Sequence, residues 1–391
     1  MTLGGCRNNG WHKPGCALPG DDVGGVPELR VARAEVAMTD TSTMRPHRSS
    51  LHCLIPPYIL DVLSKSADPV VRQHAVDAIE ASATARAVRT TLSAMPEMAA
   101  IPSPSRGKHR LIYDLEGRNF SALPGKLVRS EGQTRTKDPA VNEAYDHSGA
   151  TYDFFRRVFN RNSLDDRGMS LISSVHLLRK MNNALWNGEQ MIYGDGDGEE
   201  FIRFTRGLDV VGHELSHGVV SHTCRLAYEG ESGALNEHFA DVFGVMVKQW
   251  KQNQTAAQAD WLIGATIMGP KTKAKSLRTF KAERAYEDDP LLGTDPQPKH
   301  LKAKYKGSAD NGGVHINSGI PNHAFYLAAT KIGGRSWLRP GRIWYRALLS
   351  LTENSRFKDM VAATVAIAST EFGARSKEHN AVKAAWKAVG F

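Results

Sequence analysis

The chain has 391 residues, 41% of them hydrophobic, and its 50 Lys and Arg residues against 41 Asp and Glu residues give a formal net charge of +9. These values are typical of globular proteins and exclude the disordered, fibrous and membrane-spanning classes, while the length predicts two or three folding units. The first 100 residues contain ten basic and ten acidic side chains, so the surplus lies in 101–391. The basic residues there are scattered and accompany no motif that reads DNA or RNA, so we expect no nucleic-acid partner.

The cysteines are few. Cys6, Cys16, Cys53 and Cys224 form no CxxC pair, and only Cys224 lies in the region that carries the catalytic motifs. Four such residues do not make a disulfide scaffold. We therefore expect the fold to form in a reducing or an oxidising compartment.

The N-terminal segment 1–45 is rich in Gly, Pro and Asp and is predicted to be a disordered tail. It lacks the apolar core of about 7–15 residues that an export signal needs, and no run in the chain approaches the about 18 apolar residues of a membrane span. A translation start at Met38 or Met44 is an alternative explanation of this segment.

The next segment, 46–107, is predicted to hold an extended stretch, two short helices and a linker. It begins with CLIPPY at 53–58. Apolar residues then recur at or near helical spacing up to about 93, with a break near Asp68-Pro69. Three prolines and the lack of periodicity mark 93–110 as a linker.

The remainder divides into two parts of different character. Strand-like runs and turn residues fill most of 108–207, with one helical segment at 144–159, whereas helical patterns dominate 208–391. We therefore predict an α+β fold with a β-rich N-terminal lobe over 108–207 and a mainly helical C-terminal lobe over 208–391. A cleft between two such lobes is a common place for an active site.

The strongest chemical signal is HELSH at 213–217, an HExxH motif. In a helix, His213 and His217 lie about 40° apart around the axis, so both imidazoles project from one face. That arrangement suits one zinc ion, with Glu214 placed to take a proton from a zinc-bound water. The motif alone is only moderately specific, so a third ligand is required.

Two candidates for the third ligand fail on geometry or spacing. His222 lies about 180° around the same helix from His213 and points away from the metal. The metzincin pattern needs Gly at position 220 and His at 223, where the chain has Val220 and Thr223, so that class is excluded.

The remaining candidate is Glu237, which lies in NEHFAD on a second apolar helix, 20 residues past His217. Asp241 follows one helical turn later on the same face. It is placed to hold a ligand imidazole without binding the metal itself.

Several motifs in the same order resemble the thermolysin family of zinc metallopeptidases. They are NNALWNGEQMIYGDGDG at 182–198, HELSH at 213–217, ESGALNEHFADVFG at 231–244, LRTF at 277–280 and DNGGVHINSGIPNHAFYL at 310–327. Together with the C-terminal helices, the resemblance covers about 108–391. It implies a thermolysin-like two-lobe fold and one catalytic zinc ion. The residues that it assigns to the metal and its water are His213, His217, Glu237 and, as general base, Glu214.

The resemblance also implies roles around the reacting carbonyl. Tyr228 and His315 are expected to stabilise the oxyanion of the tetrahedral intermediate, with Asp310 orienting His315. Asn183 and Ala184 are expected to bond the extended substrate backbone.

On the leaving-group side, the resemblance assigns Arg278 to a substrate carbonyl. It also implies a pocket beyond the cut bond that prefers a bulky hydrophobic residue. The side chains expected to line it are Phe201, Phe204, Val210 and Leu277.

The chain departs from the family where thermolysin-type proteins carry a carboxylate cluster for calcium. The corresponding stretch has Lys248, Leu262 and Ala265, and only Asp209 and Asp260 remain. We therefore expect the paired calcium site to be lost and calcium dependence to be doubtful. The GDGDG run at 194–198 also suggests calcium, but Asp-Gly pairs favour a turn.

The leader resembles that of the protealysin-like branch of the family, which has a short pro-segment with Cys-x-x-Pro-Pro-Tyr. This implies that the pro-segment lies in the cleft and blocks it in cis, because Pro56 and Pro57 favour an extended chain. We hypothesise that Cys53, or the backbone near it, lies close to the zinc ion in the precursor. The alternative is that Cys53 is a small buried apolar residue.

The sequence thus predicts a monomeric zinc endopeptidase for protein or peptide substrates, made as an autoinhibited precursor. An inactive zinc-stabilised binding module is the alternative, and it predicts loss of Glu214, Tyr228 or His315, all of which are present. The resemblance implies secretion, and a cytoplasmic location is the alternative because no export signal is visible.

Overall fold

The computed structural model describes residues 52–92 and 107–391. The predicted tail, 1–45, and most of the predicted linker lie outside the described residues. The strands are β1 His52–Cys53, β2 Arg110–Asp114, β3 Lys126–Ser130, β4 Leu171–Val175, β5 Ala184–Trp186, β6 Met191–Tyr193, β7 Leu262–Ile263 and β8 Arg278–Thr279. The helices are α1 Pro57–Leu63, α2 Pro69–Leu92, α3 Pro139–Phe159, α4 Leu208–Ser221, α5 Gly230–Lys251, α6 Ala309–Asn317, α7 Gly319–Ile332, α8 Arg339–Ser350, α9 Phe357–Phe372 and α10 Lys377–Ala388.

The leader, residues 52–92, forms the two helices that its periodicity predicts, although α2 is not short: it has 24 residues. The expectation that both prolines lie in extended chain is wrong for Pro57. That residue opens α1, where its missing N–H has no helical acceptor to lose, and Pro56 before it is the last extended residue.

The main sheet has six strands in the order β1-β5-β6-β4-β2-β3. Its centre is parallel, β6 with β4 and β4 with β2, and the outer pairs are antiparallel. Strand β1 of the leader therefore forms one edge of the sheet, paired with β5. The helix predicted at 144–159 begins five residues earlier, since Pro139 opens it and Asp138 caps the N–H groups of Ala140 and Val141.

The C-terminal part is mainly helical, as predicted, and it also contains the small antiparallel pair β7–β8. One continuous hydrophobic core extends from leader residues such as Leu54 and Leu60 to Trp386 near the C-terminus. The leader is thus part of the packed interior. Within the part that the structure describes, no helix is long and apolar enough to cross a membrane.

Candidate metal centre and cleft

Helices α4 and α5 bring the predicted metal ligands together because two glycines allow the helices to approach closely. A Cβ atom added at Gly244 would lie 2.6 Å from the carbonyl oxygen of Asp209, and one added at Gly212 would lie 3.2 Å from the Cα atom of Gly244. Any side chain at Gly244 would push the helices apart and separate His213 from the residues of α5.

The three predicted ligands converge on one point. The Nε2 atoms of His213 and His217 are 3.1 Å apart. Each of them is 3.5 Å from one carboxylate oxygen of Glu237. Ligand atoms about 2.0–2.1 Å from a tetrahedral zinc ion are about 3.3 Å from one another, so this spacing fits such an ion.

The outer side of each imidazole also fits a metal ligand. His217 Nδ1 is 2.8 Å from the side-chain oxygen of Asn236, and His213 Nδ1 is 2.9 Å from a carboxylate oxygen of Asp241. These partners favour a proton on Nδ1 and leave the lone pair of each Nε2 directed at the same point. Burial and the nearby imidazoles of His52 and His213 hold the pKa of His217 well below its usual value, so this ring is neutral.

Glu214 lies on the same helix and is fully buried. Burial, and then the charge of Glu237, raise the pKa of its carboxyl group well above the usual range. A cation bound between the two carboxyl groups would offset this effect.

Tyr228 and His315 lie side by side next to the ligand set. The Tyr228 hydroxyl donates to Glu237 and is 3.2 Å from His315 Nε2. Asp310 accepts from both the backbone N–H and the Nδ1 atom of His315, at 2.8 and 2.6 Å. Burial alone lowers the pKa of His315, but the charges of Glu237 and Asp310 outweigh it and raise the pKa to about 9, so the ring is a donor at neutral pH.

The position of Asp310 depends on an unusual backbone. Asp310, Asn311, Gly312 and Gly313 all have positive φ angles, between 48° and 79°. Asn, Asp and Gly are the residues that best adopt this left-handed conformation. The DNGG sequence therefore produces the turn that aims the carboxylate back at His315.

Asp241 joins the metal ligands to Arg278. Its carboxylate accepts from Arg278 at 2.9–3.1 Å and from Asn322 at 2.8 Å. Burial alone raises the pKa of Asp241, but the charge of Arg278 and the hydrogen bonds from His213 and Arg278 outweigh it and hold the pKa well below its usual value. Asn322 was not singled out by the sequence analysis, since an Asn within a helix carries no signal of its own.

The leader backbone lies along the cleft and takes the hydrogen bonds that were predicted for a substrate. Its strand β1 is antiparallel to β5, and beyond it the N–H of Leu54 donates to the carbonyl of Ala184 at 3.1 Å. The N–H of Ile55 donates to the Asn183 side chain at 3.0 Å, and Arg278 donates to the carbonyl of Leu54 at 3.2 Å. Asn183, Ala184 and Arg278 are thus gathered around one extended segment.

His52 is the most prominent residue that sequence reasoning missed. Its ring stacks on His217 with centroids 4.1 Å apart and meets Tyr228 edge-on at 4.3 Å. One ligand atom each of His52, His217 and Glu237 lie within 4.8 Å of one another. No local pattern marks this histidine, because its partners lie more than 160 residues further along the chain.

Cys53 is a buried cysteine. The carbonyl oxygen of Cys53 lies 3.1 Å from His315 Nε2, which donates to it. The backbone at Cys53 thus lies next to the predicted metal ligands, as one version of the hypothesis expects. Whether the thiol contributes stays a prediction.

The four predicted pocket residues are all buried in the core, at 0–1% exposure. They are Phe201, Phe204, Val210 and Leu277. The rings of Phe201 and Phe204 are 5.9 Å apart. Their part in substrate selection stays a prediction.

A lysine ammonium lies among the carboxylates that remain from the calcium cluster. Lys248 Nζ is 3.2 Å from Asp209, 2.9 Å from Asp260 and 2.6 Å from the carbonyl oxygen of Leu262. Burial alone lowers the pKa of Lys248, but the charges of Asp209 and Asp260 outweigh it and raise the pKa. A built-in cation thus balances the charge of these two carboxylates.

The GDGDG run forms a turn, as the Asp-Gly pairs predict. Asp197 Oδ1 accepts from the backbone N–H groups of Glu199 and Glu200 at 2.9 Å and of Phe201 at 3.2 Å. Asp195 instead bonds His176 at 2.7 Å.

The HExxH helix, the carboxylate on the next helix and the two-part fold define a metal-dependent peptidase. Family models agree over most of the chain: residues 97–221 match the thermolysin metallopeptidase catalytic domain, and residues 224–391 match the thermolysin metallopeptidase alpha-helical domain. The chain belongs to the thermolysin family of zinc metalloendopeptidases.

Similar proteins include the extracellular metalloprotease of Pectobacterium carotovorum subsp. carotovorum, which is 48% identical over 73% of this chain and 82% of its own length. Protease PrtS of a Photorhabdus strain is 42% identical over 86% of this chain and 91% of its own length. Among solved structures, the precursor of protealysin from Serratia proteamaculans matches with a TM-score of 0.78 and 44% identity, over 87% of this chain and 99% of that one. The last two matches extend over more of the chain than the two family models, and the match to the solved structure confirms the resemblance to protealysin.

Proposed function

We propose that His213, His217 and Glu237 hold one zinc ion and that Glu214 is the general base of a peptide-bond hydrolysis. The convergence of two Nε2 atoms and a carboxylate at 3.1–3.5 Å carries this proposal. When bound, zinc acts as a Lewis acid that polarises the scissile carbonyl and makes water more acidic. Glu214 accepts the proton of the attacking water and passes it to the departing amine.

The neighbouring residues act on the substrate. Tyr228 and His315 donate to the oxygen that becomes negative in the transition state, and Asp310 holds His315 in its donating form. Asp241 keeps the His213 ring oriented. An inactive binding module would not need Tyr228 and His315 as hydrogen-bond donors, so their presence favours the enzyme over that alternative.

The cleft suits an extended peptide. Asn183, Ala184 and Arg278 bond the leader backbone in the positions expected for a substrate backbone. The buried aromatic and aliphatic residues Phe201, Phe204, Val210 and Leu277 support a preference for a bulky hydrophobic residue after the cut bond.

We also propose that the full chain is an autoinhibited precursor and that 46–107 is its pro-segment and linker, followed by lobes at 108–207 and 208–391. The leader backbone occupies the edge of β5, and His52 covers His217. A peptide substrate would need the same hydrogen bonds, so it competes with the leader. The similarity to a protealysin precursor supports this proposal. We expect a monomer, and we expect secretion, as for the relative named an extracellular metalloprotease.

The test compares the parent chain with Glu214→Ala and, as a control, Glu283→Gln at an exposed site. The parent and the control should develop a cut between about 95 and 108 and then hydrolyse casein. Glu214→Ala should do neither while still binding zinc. Self-processing of purified Glu214→Ala, or casein hydrolysis at the parent rate, would refute the assigned base.

A further inference from the structure

A second group of metal-binding side chains lies where leader helix α2 meets the loop after β6. It consists of His74 from α2 and of Asp197 and Glu200 from the loop. One ligand atom of each residue lies within 4.8 Å of the other two. His74 Nδ1 is 3.6 Å from Asp197 Oδ2, a separation close to that of the ligand atoms at the first centre.

The two carboxylates of this group are buried. The Asp197 side chain has no exposed surface, and Glu200 is 1% exposed. Among the residues whose side chains the structure describes, 52–84 and 107–391, Glu200 Oε1 has no hydrogen-bond partner. The turn uses Asp197 Oδ1, whereas Oδ2 accepts from Asn182 at 2.7 Å. The turn therefore accounts for one oxygen of Asp197. It does not account for the Oε1 atom of Glu200 or for the position of His74.

Two buried carboxylates in contact need a compensating positive charge. The ammonium group of Lys271 pairs with Glu199. Either a proton or a metal ion therefore balances this pair.

We propose that His74, Asp197 and Glu200 bind a second divalent cation of the zinc class, with water completing the coordination shell. An imidazole nitrogen with two carboxylates suits zinc, cobalt or nickel, whereas calcium and magnesium prefer oxygen ligands alone. The His74 side chain is 15% exposed, so an ion has a route from solvent. Because His74 belongs to the leader and the carboxylates to the rest of the chain, the ion ties α2 to the sheet. This site is independent of the peptidase proposal.

The test counts zinc in the full chain carrying Glu214→Ala. The protein is stripped with a chelator and dialysed against zinc chloride, and the metal per chain is measured by atomic emission. His74→Gln and Glu200→Gln should each lose about one equivalent relative to the parent. Asp77→Asn, a charge change at an exposed site of α2, is the control and should lose none. The experiment compares the zinc per chain of each variant with that of the parent. If the first metal centre binds no zinc, the expected loss of one equivalent is therefore unchanged.

If both variants retain as much zinc per chain as the parent, the proposal is overturned. That result would show that the carboxylate pair is balanced by a proton or that zinc binds elsewhere. Circular dichroism confirms that the variants are folded. A second measurement needs no variant: zinc should protect His74 from acylation by diethyl pyrocarbonate, as read by peptide mass spectrometry. Equal modification of His74 with and without zinc also overturns the proposal.

Discussion

Lys248→Met should strongly destabilise the protein, because it removes the cation and leaves the carboxylates in place. The side chains of Lys248 and Asp209 are 7% and 2% exposed, so their pair is buried, whereas Asp260 is 50% exposed and contributes little. Breaking a buried pair on one side costs about 3–5 kcal/mol. In the variant, Asp209 still accepts from the backbone N–H of Gly264 at 3.1 Å and still lies in the first turn of α4, where a negative charge is favourable. We therefore expect a destabilisation at the low end of this range, about 3 kcal/mol.

The assay is urea unfolding followed by circular dichroism, in the Glu214→Ala background to prevent self-digestion. Lys251→Met, an exposed lysine in the last turn of the same helix, is the control and should change the free energy of unfolding by less than about 0.5 kcal/mol. Adding Asp209→Asn to Lys248→Met should recover part of the loss, since no buried charge is then unpaired. A cost below about 1 kcal/mol for Lys248→Met, or parent stabilisation by calcium, would refute the view that lysine replaces the metal.

Two further predictions concern charge and the leader. Asp195, and with it Asp138, raises the pKa of His176 to about 9 although burial lowers it. The stabilisation is complete below the unfolded pKa of about 6.5 and is lost as the pH rises through about 9. After allowance for solvent screening, His176→Gln should therefore cost about 1–2 kcal/mol at pH 6 and almost nothing at pH 10, and a cost that does not fall with pH would contradict the ion pair. Cys53→Ser should leave the full chain as inert towards casein as the parent. Leu54→Pro, which removes an N–H bonded to strand β5, should instead raise the initial rate of casein hydrolysis. Early activity in Cys53→Ser would support the thiol hypothesis.

The convergence of His213, His217 and Glu237 could be predicted because its main signals are local. Two histidines four residues apart share a helix face whatever the rest of the fold does, and an apolar helix with Glu237 and Asp241 one turn apart presents both carboxylates together. The distance between helices α4 and α5 depends on Gly212 and Gly244, which carry no signal of their own in the sequence. Their role became visible only once the helices were packed.

The remaining features depend on contacts distant in sequence. His52 meets His217 because β1 pairs with β5 in one register, and no periodicity encodes that pairing. Loss of calcium was expected from the composition around Lys248, but the pairing of its ammonium with Asp209 depends on the packing of α5 against α4. The carboxylates of Asp197 and Glu200 looked like turn residues until His74 approached from the leader.

Strand β1 closes one edge of the main sheet, and its departure would leave β5 with unpaired N–H and C=O groups beside an apolar groove. The apolar character of that groove is indicated by the leader residues buried there, which are each 0% exposed: Leu54, Ile55 and Ile59. An open, apolar strand edge is a common route to aggregation, because other chains add to it. Under the proposed mechanism this hazard would be self-limiting. A chain that adds to β5 would lie across Glu214 and be cut, so turnover would keep clear the surface most prone to self-association.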